Sequence, residues 1–84
     1  MRYFVYLIIS TDKSRITTYV GYTSNIAHRI KLHNSSKGAK STRGYKWKLI
    51  YKKKFLSKSR AMSYEYKLKN NRKLRLSIIK GFSV

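Results

Sequence analysis

The sequence predicts an α+β fold in a single domain, and three observations carry that prediction. An uncharged run of aromatic and β-branched residues opens the chain at positions 3–9. The stretch Tyr19-Val20-Gly21-Tyr22-Thr23-Ser24-Asn25 then passes from strand-forming residues through a glycine into a helical pattern. An alternating basic strand followed by two helical stretches completes the chain. With 84 residues, there is room for one small domain and a modest core.

The run at 3–9 has no charge inside it and reads as a strand covered on both faces. A polar stretch from Ser10 to Arg15 separates it from residues 16–22, which read as a second strand paired to the first as a hairpin. If the polar stretch is shared symmetrically, Ile9 lies opposite Ile16 and Tyr6 opposite Tyr19. A slip of two residues would keep both phenols on one face, and a slip of one would separate them. Gly21 removes the side chain where another backbone or a ligand must come close. Thr23 or Ser24 can then cap a helix whose Ile26, Ile30 and His33 recur at i, i+4 and i+7. Arg29 and His33 share one face of it, a turn apart.

Residues 34–44 form a polar loop holding Gly38, Gly44 and several cations. Glycine-freed amides beside Lys and hydroxyl groups suit phosphate contact, so Lys37, Lys40, Ser41, Thr42 and Arg43 are candidates for it. Residues 46–53 alternate Trp47, Leu49 and Tyr51 with Lys46, Lys48 and Lys52, as a half-buried edge strand with a basic outer face would, beside the first strand. Lys46 and Lys48 join the candidate nucleic-acid contacts. Ser57 caps a helix running to Lys69, with Ala61, Met62, Tyr64, Glu65 and Leu68 on or beside its inward side. Asn70-Asn71 interrupts the pattern, and Leu74, Ile78 and Ile79 mark a last short helix stopped by Gly81.

Charge narrows the function classes. The chain carries 21 Lys and Arg against 2 Asp and Glu, a net charge of +19, yet its 42% hydrophobic content is too high for a disordered basic tail. Such a balance destabilises a compact fold by self-repulsion and calls for a polyanionic partner. Nucleic acid fits, with binding that weakens steeply as salt rises. The sequence shows no long apolar run and no signal-peptide pattern, which argues against a membrane partner. Without cysteine, disulfides and thiolate zinc sites are excluded, and a cytoplasmic setting is expected.

Glu65 is the acid that stands out, because Asp12 sits in a turn where Asp is common for local hydrogen bonding. Its plain structural reading is an exposed pair with Lys69 on one helix face, worth about 0.2–0.5 kcal/mol. Its functional reading is a carboxylate kept to hold a hard divalent cation. Phosphodiester hydrolysis needs a metal as Lewis acid, a cation for transition-state charge, and a positioned base. Glu65, Arg29 and one of Tyr6, Tyr19 or His33 can supply these. Each has a structural reading too: tyrosines fill sheets, His33 can close its helix, and Arg29 can be surface charge.

The ordered set of Phe4-Val5-Tyr6, Tyr19-Val20-Gly21, Arg29 and His33 in the next helix, and a distant helical Glu65 resembles the GIY-YIG nuclease family across nearly the whole chain. The stretches His33-Asn34 and Lys37-Gly38-Ala39-Lys40-Ser41-Thr42-Arg43 are similar to small stand-alone bacterial members and to Slx-type nucleases. Glu65-Tyr66-Lys67-Leu68-Lys69 resembles the family's glutamate helix. One departure is Phe4, where the name-giving glycine would stand.

The resemblance implies a three-stranded antiparallel sheet flanked by helices, and one Mg²⁺ or Mn²⁺ held by Glu65 and water. It also implies hydrolysis of a DNA phosphodiester to 5′-phosphate and 3′-hydroxyl ends. Tyr19 would be general base or water-positioning group, Tyr6 its helper, Arg29 the phosphate ligand and His33 a proton carrier or hydrogen-bond partner. Asn70 would be a polar residue at the site. The expected substrate is branched, flapped or nicked DNA recognised by shape and charge, with RNA an open substrate and a protein partner an open source of targeting. The competing class is a non-catalytic basic module of ribosomal or architectural type, which explains the charge equally well but does not require Tyr6, Tyr19, Arg29, His33 and Glu65 to converge.

Overall fold

The computed structural model describes residues 2–11 and 16–82. Strand β1 (Tyr3–Ser10) and strand β2 (Thr17–Thr23) are followed by helix α1 (Ile26–Asn34), a single 3₁₀ turn (Lys40–Thr42), strand β3 (Lys48–Phe55), helix α2 (Lys58–Lys69) and helix α3 (Arg72–Phe82). The sheet order is β2-β1-β3 with both pairings antiparallel, so the uncharged strand lies in the middle and the basic strand at an edge, as expected.

Strand β1 is covered on both faces, which is why its sequence is a continuous apolar run rather than an alternating one. Val5 and Leu7 point to one side and pack with Val20 against Ala61 and Leu68 of α2, with α3 contributing Leu74, Ile78 and Ile79. Tyr6 and Ile8 point to the other side, where Trp47 and the α1 residues Ile26 and Ile30 meet them. Burying each such aliphatic or aromatic side chain stabilises the fold by about 1.5–3 kcal/mol. Among the described residues no helix is long and apolar enough to cross a membrane.

The hairpin register differs by two residues from the symmetric expectation. Tyr6 pairs with Gly21 and Tyr19 with Ile8, so the phenols are diagonal rather than opposed but remain on one face. Gly21 accounts for this register: a Cβ there would lie 2.5 Å from the Tyr6 hydroxyl oxygen and 2.7 Å from the ring carbon that bears it. The Tyr6 ring therefore lies over the one position in β2 that has no side chain. Most of the connecting turn, including Asp12, falls outside the described residues.

Three further expectations are corrected. Helix α1 is capped by Asn25, whose side chain accepts from the His28 N–H at 3.1 Å; Thr23 accepts from the Asn25 N–H instead, shaping the turn before the helix. Trp47, Leu49 and Tyr51 do not share a face. Leu7 pairs with Tyr51 but Ile8 with Leu49, so a β-bulge at Ile50 sends Tyr51 to the α2 side and leaves Leu49 with Trp47 on the α1 side. Met62, 46% exposed, lies beside the α2 contact face, within what the sequence predicts. Helix α3 runs through Gly81 to Phe82, so the glycine does not stop it; Ile78 and Ile79 anchor its last described turns on the core. Ser57 caps α2 as expected, accepting from the Arg60 N–H, and the Asn pair breaks the pattern for a plain reason: Asn70 closes α2 while the Asn71 side chain accepts from Leu74 N–H at the start of α3.

Candidate active site

The register and the β2-to-α1 corner place side chains from three elements against one another. Tyr6 comes from β1, Tyr19 from β2, and Arg29 and His33 from successive turns of α1. Ring centroids are separated by 6.4 Å for Tyr6 and Tyr19, 5.8 Å for Tyr6 and His33, and 5.0 Å for Tyr19 and His33. The Tyr6 hydroxyl is 2.8 Å from His33 Nε2, and the Arg29 guanidinium is near enough to both phenols to interact electrostatically with each. Tyr6 and His33 are fully buried, while Tyr19 and Arg29 are half-buried. Solvent, and anything in it, therefore meets the cluster through Tyr19 and Arg29.

The loop after α1 has a job that the sequence reading did not assign to it. His33 Nδ1 lies 2.9 Å from the Thr42 hydroxyl, which donates to the Ala39 carbonyl at 2.7 Å. Gly38 passes so close that a Cβ there would be 2.5 Å from His33 Nδ1. Asn34 and Trp47 tie the loop down: the Asn34 amide donates to the Trp47 carbonyl at 3.1 Å, and the Trp47 indole N–H donates to the Thr42 carbonyl at 2.9 Å. Thr42 is fully buried and so corrects the expectation of a phosphate contact; its hydroxyl is already spent on protein groups.

Burial dominates the electrostatics. It pushes the Tyr6 phenol up to about 12, against the opposing hydrogen bond and charge of Arg29 and with smaller contributions in its own direction from Tyr19 and Glu65. Tyr6 is therefore protonated at neutral pH. Burial first and the Arg29 charge second hold the His33 imidazole below its ordinary range, so it is neutral there too. Arg29 is raised, chiefly by its hydrogen bond to Tyr6.

Glu65 reaches the site differently. It projects from α2, the helix that packs on the opposite face across β1 and β2, it is half-buried, and its carboxylate is near enough to oppose ionisation of Tyr6. Among the described residues no three His, Cys, Asp or Glu side chains group together as a metal cage. Glu65 is the carboxylate available to a cation here. A lone carboxylate suits a hard cation that keeps most of its water and shares substrate phosphate oxygens, and it does not suit a metal needing a complete protein cage.

The remaining expected contacts divide. Lys37, Lys40, Ser41, Arg43, Lys46 and Lys48 are exposed on the loop and at the start of β3, whereas Gly21 is buried beneath the Tyr6 hydroxyl. Asn70 is exposed, but its amide donates to the Tyr66 carbonyl at 2.8 Å; it caps α2 rather than completing the cluster. Two cations that were not assigned a binding role lie on the cluster's own sheet face: Lys52 pairs with Tyr6 and Lys54 with Phe4 across β1 and β3, with the Lys52 ammonium 5.9 Å from the Phe4 ring centre. Strand alternation counted from Tyr6 would have found them. Nothing in the sequence separates Thr42 from its hydroxyl-bearing neighbours.

The chain is similar to known proteins over most of its length. The profile described as the GIY-YIG catalytic domain matches residues 2–78. A UPF0213 protein of Oceanobacillus iheyensis is 44% identical over 69 residues, spanning 81% of this chain and 77% of that protein. A UPF0213 protein of Clostridium perfringens is 44% identical over 77 residues, spanning 87% and 80% respectively. The solution NMR structure of a UPF0213 protein from Bacillus halodurans is 36% identical, superposes with a TM-score of 0.55, and covers 95% of this chain and 84% of its own.

Proposed function

The chain belongs to the GIY-YIG catalytic domain family, and on that premise we propose that it is a metal-dependent endonuclease that hydrolyses DNA phosphodiester bonds. The observation that carries the reading is the packing of two phenols and a buried imidazole against one another, with the Arg29 charge acting on both phenols and the Glu65 charge on Tyr6. A basic module that merely adheres to nucleic acid has no use for that convergence.

Roles follow from access and protonation. Arg29 binds the scissile phosphate and stabilises the charge that grows on it. Tyr19, the phenol that solvent reaches, positions the attacking water and takes its proton as its own phenolic proton passes to solvent. Tyr6 is buried and protonated, so it serves by orienting Arg29, and His33 serves as its hydrogen-bond partner rather than by touching substrate. Glu65 would hold Mg²⁺ or Mn²⁺, which when bound polarises a phosphate oxygen and lowers the pKa of coordinated water. Water oxygen adds to phosphorus, the bond to the 3′ oxygen breaks, and that oxygen takes up a proton, leaving 5′-phosphate and 3′-hydroxyl ends. Exposed lysines around the site contact phosphates, so selection is by shape, with branched, flapped or nicked DNA favoured.

The test is nicking of supercoiled and branched DNA, with branched RNA alongside, in Mg²⁺. Glu65→Ala abolishes cleavage while DNA affinity survives, and Tyr19→Phe slows it. Wild-type protein that binds DNA but never cuts it, or cuts no faster than Glu65→Ala, sinks the nuclease reading and leaves the adhesive module. Faster cleavage of RNA would change the substrate but not the site.

A further inference from the structure

Proton positions in the buried half of the site follow from counting donors and acceptors. The Thr42 hydroxyl has one proton, and it goes to the Ala39 carbonyl at 2.7 Å. Facing His33 Nδ1 at 2.9 Å, the same oxygen can then only accept, which makes Nδ1 the protonated nitrogen. In a neutral imidazole Nε2 is then bare, so the Tyr6 hydroxyl, 2.8 Å away, donates into it. With its proton turned inward, the Tyr6 oxygen offers lone pairs toward the Arg29 charge beside it.

The opposite tautomer fails at both ends. A proton on Nε2 would make Tyr6 the acceptor and turn the phenol proton toward a guanidinium that accepts nothing. A bare Nδ1 would face a Thr42 oxygen whose proton is already given away. As built, no buried side-chain nitrogen or oxygen among the described residues lacks a partner. The surrounding loop preserves this contact: Gly38 leaves room at Nδ1, and Trp47 holds the Thr42 backbone.

We propose that Thr42 is a positioning residue: by fixing His33 as the Nδ1–H tautomer it turns the Tyr6 proton inward, leaves the Tyr6 oxygen as an acceptor for the neighbouring Arg29, and so aims that guanidinium at the phosphate. The catalytic consequence rests on the nuclease reading above, whereas the tautomer does not. Thr42→Val keeps the shape and removes the oxygen that selects the tautomer; Thr42→Ser keeps the oxygen.

¹⁵N NMR of histidine-labelled protein at neutral pH reads the tautomer directly, with exposed His28 as an internal reference. In the wild type His33 shows a protonated Nδ1 and a bare Nε2. In Thr42→Val the His33 signals move toward the other tautomer, and nicking slows about 10- to 100-fold, the range for loss of a supporting hydrogen-bond partner. DNA affinity stays near wild type, and Thr42→Ser restores both spectrum and rate. A wild-type His33 protonated on Nε2 overturns the proposal without any variant. So does a Thr42→Val protein with inverted tautomer and unchanged rate, or a Thr42→Ser protein as slow as Thr42→Val with the tautomer intact. Wild-type protein that nicks nothing defeats the nuclease reading instead, and the spectra still decide the tautomer.

Discussion

Tyr6 and Tyr51 occupy the two faces of the same sheet and differ less in their own chemistry than in their company. Both phenols are pushed up to about 12, burial being the largest cause for each, and both hydroxyls lie 2.8 Å from a partner. Tyr51 meets only another phenol, Tyr64, over the apolar core that joins β1 to α2. That pair closes on itself. Tyr6 stands between an imidazole and a guanidinium, and the guanidinium reaches solvent. A strongly shifted tyrosine is thus no marker of a site in this fold; the marker is a shifted group whose partner can act on something outside.

The largest expected effects separate the faces most sharply. Arg29→Ala should lower the nicking rate by about 10²- to 10³-fold, the loss seen when one donor to transition-state charge is removed, with little change in thermal midpoint because its guanidinium lies at the half-buried rim. Leu68→Ala should do the converse. It empties a fully buried position beneath β1 and should cost about 2–5 kcal/mol in a urea titration, while the fraction still folded nicks normally. Loss of activity from Leu68→Ala in fully folded protein would show that packing beneath β1 also sets where Glu65 stands, one helical turn away on α2.

A finer comparison deletes one hydroxyl from each face. Tyr6→Phe leaves His33 Nε2 buried without a partner, a cost of about 1–3 kcal/mol, and frees Arg29, so nicking should fall by roughly the 10²-fold expected for a small misplacement of a catalytic group. Tyr51→Phe leaves the half-buried Tyr64 hydroxyl able to turn to water. About 0.5–1.5 kcal/mol is lost, and nicking is unchanged. If burial of a phenol were the whole story, the two variants would behave alike in a melt and in a nicking assay.

The sequence reading reached the elements, the sheet order and the meeting of Tyr6, Tyr19, Arg29 and His33, because all of these rest on local periodicity and on a glycine at a corner. Register needed more. The polar turn carries no tight-turn signal, and the pairing depends on Gly21 lying under Tyr6, a contact between residues 15 positions apart. The bulge at Ile50 escaped for a similar reason: an unbroken alternation of Trp47, Leu49 and Tyr51 conceals a two-against-one mismatch that only the partner strand reveals. Thr42 was read as an exposed phosphate ligand because loops full of Gly, Ser and Lys are usually solvated. Its burial comes from Trp47 and His33, which the loop meets only after the chain has folded back. The basic charge was legible, yet its division between faces was not, since that too depends on pairing.

That division gives the smallest effect and the most direct look at how the sheet meets a polyanion. Lys52 and Lys54 lie on the Tyr6 face, opposite Tyr6 and Phe4, whereas Lys53 pairs with Val5 on the other face and lies 4.9 Å from the Tyr64 ring centre and 5.8 Å from that of Phe55. If duplex DNA crosses the site, each of Lys52→Gln and Lys54→Gln should reduce the slope of log affinity against log salt by about 0.9 for every phosphate left without its cation. Lys53→Gln should leave that slope alone and instead cost about 0.5–1 kcal/mol of stability, the worth of an exposed cation over a ring. These three substitutions remove the same charge from consecutive residues, so net charge cannot explain a difference among them. Equal slopes for all three would mean that DNA responds to the summed field of a basic protein and not to the face that carries Arg29.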